Sequence, residues 1–127
     1  MDIIGISGNG NVAVSMATKA QIRRIKKEFW NIDRPTDVIS FRYKELKGNV
    51  FAEVIICPEI AIERASDYGN GVEFEMVLYI VHGFLHIAGL NDSSRAEKIN
   101  MRKKEEYTMK KLAKAFPELI NFKKEIR

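Results

Sequence analysis

Two histidines spaced four residues apart carry the clearest chemistry in this sequence. His82 and His86 lie in an apolar segment that we predict to be helical, and their spacing places both imidazoles on one helical face. Asp92 follows Gly89, which is well placed to end this helix, so a tight turn can return the carboxylate toward the imidazoles. These donors are of the types that zinc accepts, and they leave a coordination position for water. The spacing therefore predicts one divalent-metal site, with zinc as the expected ion.

The same pattern permits a simpler interpretation, in which both histidines are buried and hydrogen-bonded in the core. It also differs from the H-E-x-x-H motif of zinc peptidases, where a glutamate after the first histidine is the general base. Gly83 occupies that position here, so this helix cannot supply that base. A glycine there could instead let another segment or a substrate approach the helix closely, which makes Gly83 a candidate cleft residue.

Apolar periodicity and the positions of glycine and proline predict the elements that hold these residues. The segment 72–88 is apolar nearly all round, so we expect it to be the central core helix. The order of elements predicts an α+β fold, a single small domain of residues 1–127 with helices packed on a mixed sheet. The predicted strands are 11–18, 38–43 and 53–57, with a turn at Gly48–Asn49, and the other predicted helices are 19–30, 59–68 and one that starts at 92–94.

The last helix has a predicted start and a predicted buried face. Ser94 followed by Glu97 fits a capping box, in which each side chain accepts a hydrogen bond from the other residue's backbone. The apolar stripe that could be buried consists of Met101, Met109, Leu112 and Phe116.

Composition restricts the class of protein. The 127 residues, of which 46% are hydrophobic and 30% charged, fit one globular domain. Cys57 is the only cysteine, so an internal disulfide is excluded and a cytoplasmic location is expected. The most apolar stretch, 76–90, is shorter than the about 20 residues that span a bilayer, and the start of the chain does not resemble a signal peptide. We therefore expect no membrane partner.

Positive charge is concentrated in the last part of the chain. Residues 95–127 contain 11 Lys and Arg against 5 Asp and Glu, within a net charge of +4 for the whole chain. Such a basic region suggests a polyanion such as nucleic acid as partner, although on charge alone a solvated helical face is the simpler interpretation. The candidate RNA-binding residues form two clusters, Arg23, Arg24, Lys26 and Lys27, and Arg102, Lys103 and Lys104.

Three segments resemble the YbeY family of bacterial zinc-dependent endoribonucleases, which are linked to rRNA maturation and ribosome quality control. Residues 82–92, HGFLHIAGLND, resemble the family's H-G-x-L-H-L-x-G-Y-D-H motif. Residues 35–41, PTDVISF, and 53–59, EVIICPE, are similar to its P-T-D-V-L-S-F and G-[DE]-I-x-I-[CS]-P-E segments. The three segments occur in family order, and the resemblance covers roughly 11–115.

The resemblance implies a metal-dependent endoribonuclease that cleaves single-stranded RNA, matures the 3′ end of small-subunit rRNA and contacts the small ribosomal subunit. It also implies one Zn²⁺, with Ni²⁺ as the alternative, on His82, His86 and Asp92. The third ligand of the family is usually histidine, so Asp92 changes the charge of the site. Thr36 and Asp37 match a family segment and become candidate cleft residues, whereas the residues alone favour a cap and turn before the strand.

Two further departures concern RNA cleavage and the start of the chain. The family usually has an arginine where this chain has Trp30. Arg34 or Arg42 therefore becomes the candidate residue that contacts the phosphate, while a metal-activated water is the expected nucleophile. Trp30 itself could stack a base, but packing near a helix end is the interpretation we favour. Family members usually have a further strand and helix ahead of Asn11, so the N-terminus is expected to be shortened.

Two other functions remain open on the sequence. One is a ribosome-associated binding protein with a structural metal and weak or lost nuclease activity, which Trp30 at the usual arginine position motivates. The other is a metal hydrolase of a substrate other than nucleic acid. The open metal position permits this hydrolase, whereas Gly83 and the basic residues argue against it.

Overall fold

A three-stranded sheet and four helices make up the part of the chain that the computed structural model describes, residues 10–43 and 50–117. The elements follow the predicted order, which confirms the α+β fold with a central helix that carries the histidines. The Gly48–Asn49 turn lies outside the described residues. Within those residues, none of the helices has the length and apolar character that crossing a bilayer requires. The elements are β1 (Gly10–Met16), α1 (Lys19–Trp30), β2 (Val38–Arg42), β3 (Val50–Ile56), α2 (Pro58–Tyr68), α3 (Val72–Ile87) and α4 (Arg95–Ala115).

Strand β3 lies at the centre of the sheet, which has the order β1-β3-β2. It pairs in parallel with β1, where Met16 is opposite Ile56, and antiparallel with β2, where Val38 is opposite Ile56. A strand that is paired on both edges and covered by helices needs an apolar sequence. Val54 and Ile56 are accordingly fully buried.

Helix α3 packs against the sheet through Gly83. A Cβ atom at this position would lie only 2.7 Å from Cγ1 of Val54, so the glycine allows the helix backbone to approach β3 closely. Gly83 is buried and does not line the cavity described below, which corrects its assignment to the cleft. The approaching segment is a strand of the same chain, because this side of α3 faces the sheet while the histidines lie elsewhere on the helix.

Helix α4 covers another side of α3. Its capping box is present, with Ser94 Oγ accepting from the backbone N–H of Glu97 at 3.1 Å. Met101 and Met109 are buried against α3 as predicted. Phe116, in contrast, is 48% exposed, which corrects its place in the buried stripe. The helix ends at Ala115, so Phe116 no longer follows the helical periodicity.

Candidate metal centre

The end of α3 brings Asp92 back to the two histidines. Both imidazoles are partly buried, and they lie one turn apart in the last part of the helix. Gly89 then adopts φ +104°, and the backbone N–H of Leu90 donates to the carbonyl of Leu85. This turn reverses the chain, because a left-handed residue after the helix redirects the backbone toward the preceding turn.

The donor atoms of the three predicted ligands converge on one point. The Nε2 atoms of His82 and His86 are 3.0 Å apart, and Oδ2 of Asp92 lies 3.5 Å from the first and 3.3 Å from the second. Ligand bonds of the usual zinc length at tetrahedral angles would separate donor atoms by about 3.3 Å. The three distances bracket that value, so the donor set fits one zinc-sized ion in both chemistry and spacing.

Glu105 of α4 orients the first histidine. Its Oε1 atom lies 2.7 Å from Nδ1 of His82, and its side chain is only 12% exposed. An Nδ1–H donated to this carboxylate leaves the Nε2 lone pair directed toward Asp92 and His86, where an ion would lie. Glu105 was not among the site residues predicted from the sequence. The available signal was a carboxylate four residues after Met101, on the stripe that α4 buries.

The charges around His82 change its protonation. Burial lowers the pKa of the imidazole, but the hydrogen bond and charge of Glu105, with the charges of Asp37 and Asp92, outweigh burial and raise that pKa above its usual value. A histidine binds a metal ion only when its coordinating nitrogen is unprotonated. Protons are therefore expected to compete with an ion for His82 as the pH falls.

The three predicted ligands line a cavity of about 710 Å³. Several residues predicted for the site or for RNA binding lie together there, which sequence separation alone could not show. The cavity is lined by His82, His86 and Asp92 and, among others, by Lys26, Trp30, Thr36, Asp37, Ser40, Arg42 and Ser93.

Other predicted RNA-binding residues lie away from this cavity. Arg23 pairs with Asp33 at 2.7 Å, and Lys27 lies 4.0 Å from the same carboxylate. The structure therefore brings Lys26 and Arg42 to the cavity and leaves the rest of the predicted basic set outside its lining. That remaining set is Arg23, Arg24, Lys27, Arg34, Arg102, Lys103 and Lys104.

Two candidate cleft residues and one candidate phosphate partner also hold the fold together. Asp37 accepts from Arg64 Nη1 at 2.5 Å and from the Thr36 hydroxyl at 3.3 Å. Arg42 donates from Nη1 to the carbonyl of Ile87, the last residue of α3. Arg42 thus connects the end of β2 to the helix that carries the histidines, beside the cavity.

Comparison with known proteins places this arrangement in a family. The family model described as Endoribonuclease YbeY matches residues 2–113 of the chain. The chain belongs to the YbeY endoribonuclease family. This membership confirms the resemblance found in the three sequence segments.

Individual relatives agree with the family match. The chain is 42% identical over 99 residues to Endoribonuclease YbeY of Elusimicrobium minutum, which covers 75% of this chain and 69% of that protein. It is 42% identical over 82 residues to Endoribonuclease YbeY of Thermotoga neapolitana, covering 65% of this chain and 53% of the relative. The solution structure of a Thermotoga maritima protein aligns with a TM-score of 0.50 and 27% identity, over 90% of this chain and 78% of that one.

Proposed function

We propose that this YbeY-family chain is a zinc-dependent endoribonuclease that cleaves single-stranded RNA, with nickel as the alternative ion. Its proposed role is maturation of the 3′ end of small-subunit rRNA and ribosome quality control in the cytoplasm. The convergence of His82, His86 and Asp92 carries the proposal, because this donor set opens into a cavity that also contains two cationic side chains, Lys26 and Arg42.

Residues in and beside the cavity would each have a separate role in such a reaction. His82, His86 and Asp92 would hold the ion, which when bound polarises a phosphate oxygen and lowers the pKa of water. Glu105 fixes the ring of His82 so that Nε2 points at the site. Lys26, which lines the cavity, offsets the negative charge of an entering RNA backbone.

Arg42 is the better supported of the two candidate phosphate partners. Its guanidinium lines the cavity, and its hydrogen bond to the Ile87 carbonyl holds it beside the histidine helix. Arg34 is exposed and does not contribute to the cavity lining. We therefore assign the phosphate-contacting role to Arg42.

The test is metal-dependent RNA cleavage compared between matched variants. Protein with a full zinc complement is incubated with a single-stranded RNA and with the same strand in a duplex, and products are separated on a gel. We expect cleavage of the single strand that disappears in His82→Ala and in metal-free protein. Asp67→Ala, which removes an exposed carboxylate outside the cavity, serves as control and should keep full activity.

A second candidate is a ribosome-associated binding protein whose metal is structural. The observation in its favour is Trp30 in the cavity at the position where the family usually has arginine. Stoichiometric zinc without any RNA cleavage would overturn the enzyme proposal. Sedimentation with small ribosomal subunits that is unchanged in folded His86→Ala would then support this second function.

A further inference from the structure

A row of aromatic side chains extends from the cavity along strand β2. The Trp30 ring stacks on Phe41, with centroids 5.4 Å apart and planes inclined by 26°. Phe41 stacks in turn on Tyr43, at 6.2 Å and 18°. We name these three residues the aromatic platform. Its rings support one another, and Phe29 adds an edge-on contact to Phe41 at 5.1 Å.

Packing within the protein does not account for the whole platform. Phe41 is the partly buried member, whereas Trp30 and Tyr43 remain 45% and 51% exposed. The packing expected for Trp30 is therefore only part of its environment. A contiguous exposed aromatic surface that continues into a cavity marks a binding site more often than isolated exposed side chains do.

Charge and position together select the occupant. Lys26 lines the same cavity, and its ammonium lies 5.2 Å from the centroid of the Trp30 ring. An aromatic surface beside a cation matches a nucleotide, whose base stacks on rings and whose phosphate pairs with ammonium groups. Trp30 also lines the cavity that contains His82 and His86, so an RNA strand bound at that site would pass over this ring.

We propose that Trp30, supported by Phe41, stacks an unpaired RNA base next to the metal centre while Lys26 contacts the backbone of the same strand. Stacking on an aromatic residue strengthens binding by about 5-fold to about 100-fold. An exposed contact between a cation and an aromatic ring strengthens an interaction only about 2-fold to 5-fold. A base can therefore displace Lys26 from the ring and free its ammonium for a phosphate. The inference rests on the proposed function, because it places RNA at this cavity.

The experiment compares two short single-stranded RNAs of equal length, one with bases and one with abasic sugars. Both strands carry the same phosphates, so only stacking and base contacts distinguish them. Affinities are measured with zinc-loaded protein by fluorescence anisotropy of the labelled strands, whose integrity is checked on a gel. Trp30 is the only tryptophan, so quenching of intrinsic fluorescence reports directly on this ring.

Wild-type protein is expected to bind the base-containing strand about 5-fold to 100-fold more tightly than the abasic strand, with quenching only by the former. Trp30→Ala should abolish this preference. Tyr107→Ala is the matched control, because Tyr107 is 54% exposed with Lys111 4.9 Å from its ring centroid but does not line the cavity. That variant should keep the wild-type preference.

Trp30→Leu keeps apolar contact with Phe41 without an aromatic face, and it replaces Trp30→Ala if the alanine variant loses its helical circular dichroism. Equal affinity of wild type for both strands would overturn the inference, as would a preference that survives in the folded Trp30 variants. These binding results are independent of cleavage. Wild type that prefers the base-containing strand but cleaves no RNA would refute only the proposed enzyme, whereas cleavage without any preference would refute only the stacking position.

Discussion

Removing the negative charge of Glu105 is expected to weaken metal binding without removing a ligand. The carboxylate lies 2.7 Å from Nδ1 of His82 and is largely shielded from water, so it both orients the ring and increases the electron density at Nε2. Loss of such a partner typically lowers metal affinity about 10-fold to 100-fold. Glu105→Gln keeps an acceptor of similar shape, so its loss of affinity should be near the lower end of this range. Glu105→Ala loses the hydrogen bond, so its loss of affinity should be near the upper end.

The assay is a zinc titration against a chromophoric chelator at fixed pH. Glu106→Gln is the control, because Glu106 is the next residue on α4 and pairs with Lys110 at 3.1 Å instead of a histidine. Since Glu105 also raises the pKa of His82, its removal reduces competition by protons. The loss of affinity should therefore be largest at alkaline pH and shrink as the solution is acidified. Zinc affinity in Glu105→Ala equal to that of the control at alkaline pH would refute the orienting role.

Three further predictions test the ligand set, the contact between helix and sheet, and the start of the last helix. Asp92→Ala should lower zinc content well below one ion per chain by elemental analysis, and Asp92→His should restore it; unchanged zinc in Asp92→Ala would exclude this ligand. Gly83→Ala should lower the free energy of unfolding by about 1 kcal/mol, or Tm by about 4 °C. Overpacking against Val54 costs about 1–3 kcal/mol, whereas the better helix propensity of alanine returns about 1 kcal/mol. A variant more stable than wild type would contradict the close contact. The N–H and hydroxyl of Ser94 lower the pKa of Glu97 in the folded protein. The ionised carboxylate therefore stabilises the fold at pH values above the pKa of the unfolded chain. This stabilisation is lost as the pH falls through the lower pKa of the folded protein. Thermal melts should therefore give a higher Tm for wild type than for Glu97→Gln at neutral pH, and the two Tm values should converge in acid. A Tm difference that does not change with pH would argue against the cap.

The family and the three metal-ligand candidates could be identified from short stretches of sequence. His82 and His86 are placed on one face by helical geometry alone, and Gly89 gives the turn that returns Asp92. The elements were predictable for the same reason, because apolar periodicity is a local property. Strand β3 nevertheless begins at Val50, before the predicted residue 53, because residues 50–52 pair with residues 10–12 of β1.

The surroundings of these ligands depended on tertiary packing. Glu105 is on α4, Lys26 and Trp30 are on α1, and Arg42 is on β2, and no local pattern relates these elements. The four basic residues of the predicted RNA-binding cluster on α1 look equivalent in the sequence, but in the structure only Lys26 among them lines the cavity. Gly83 follows the predicted ligand His82 in the chain yet faces Val54, because neighbouring residues of a helix point in different directions. The sequence by itself thus identified the family through its three motifs and predicted the donor set through local geometry. Only the folded chain decided which carboxylate orients His82 and which charges and rings surround it, because those contacts arise between elements distant in sequence.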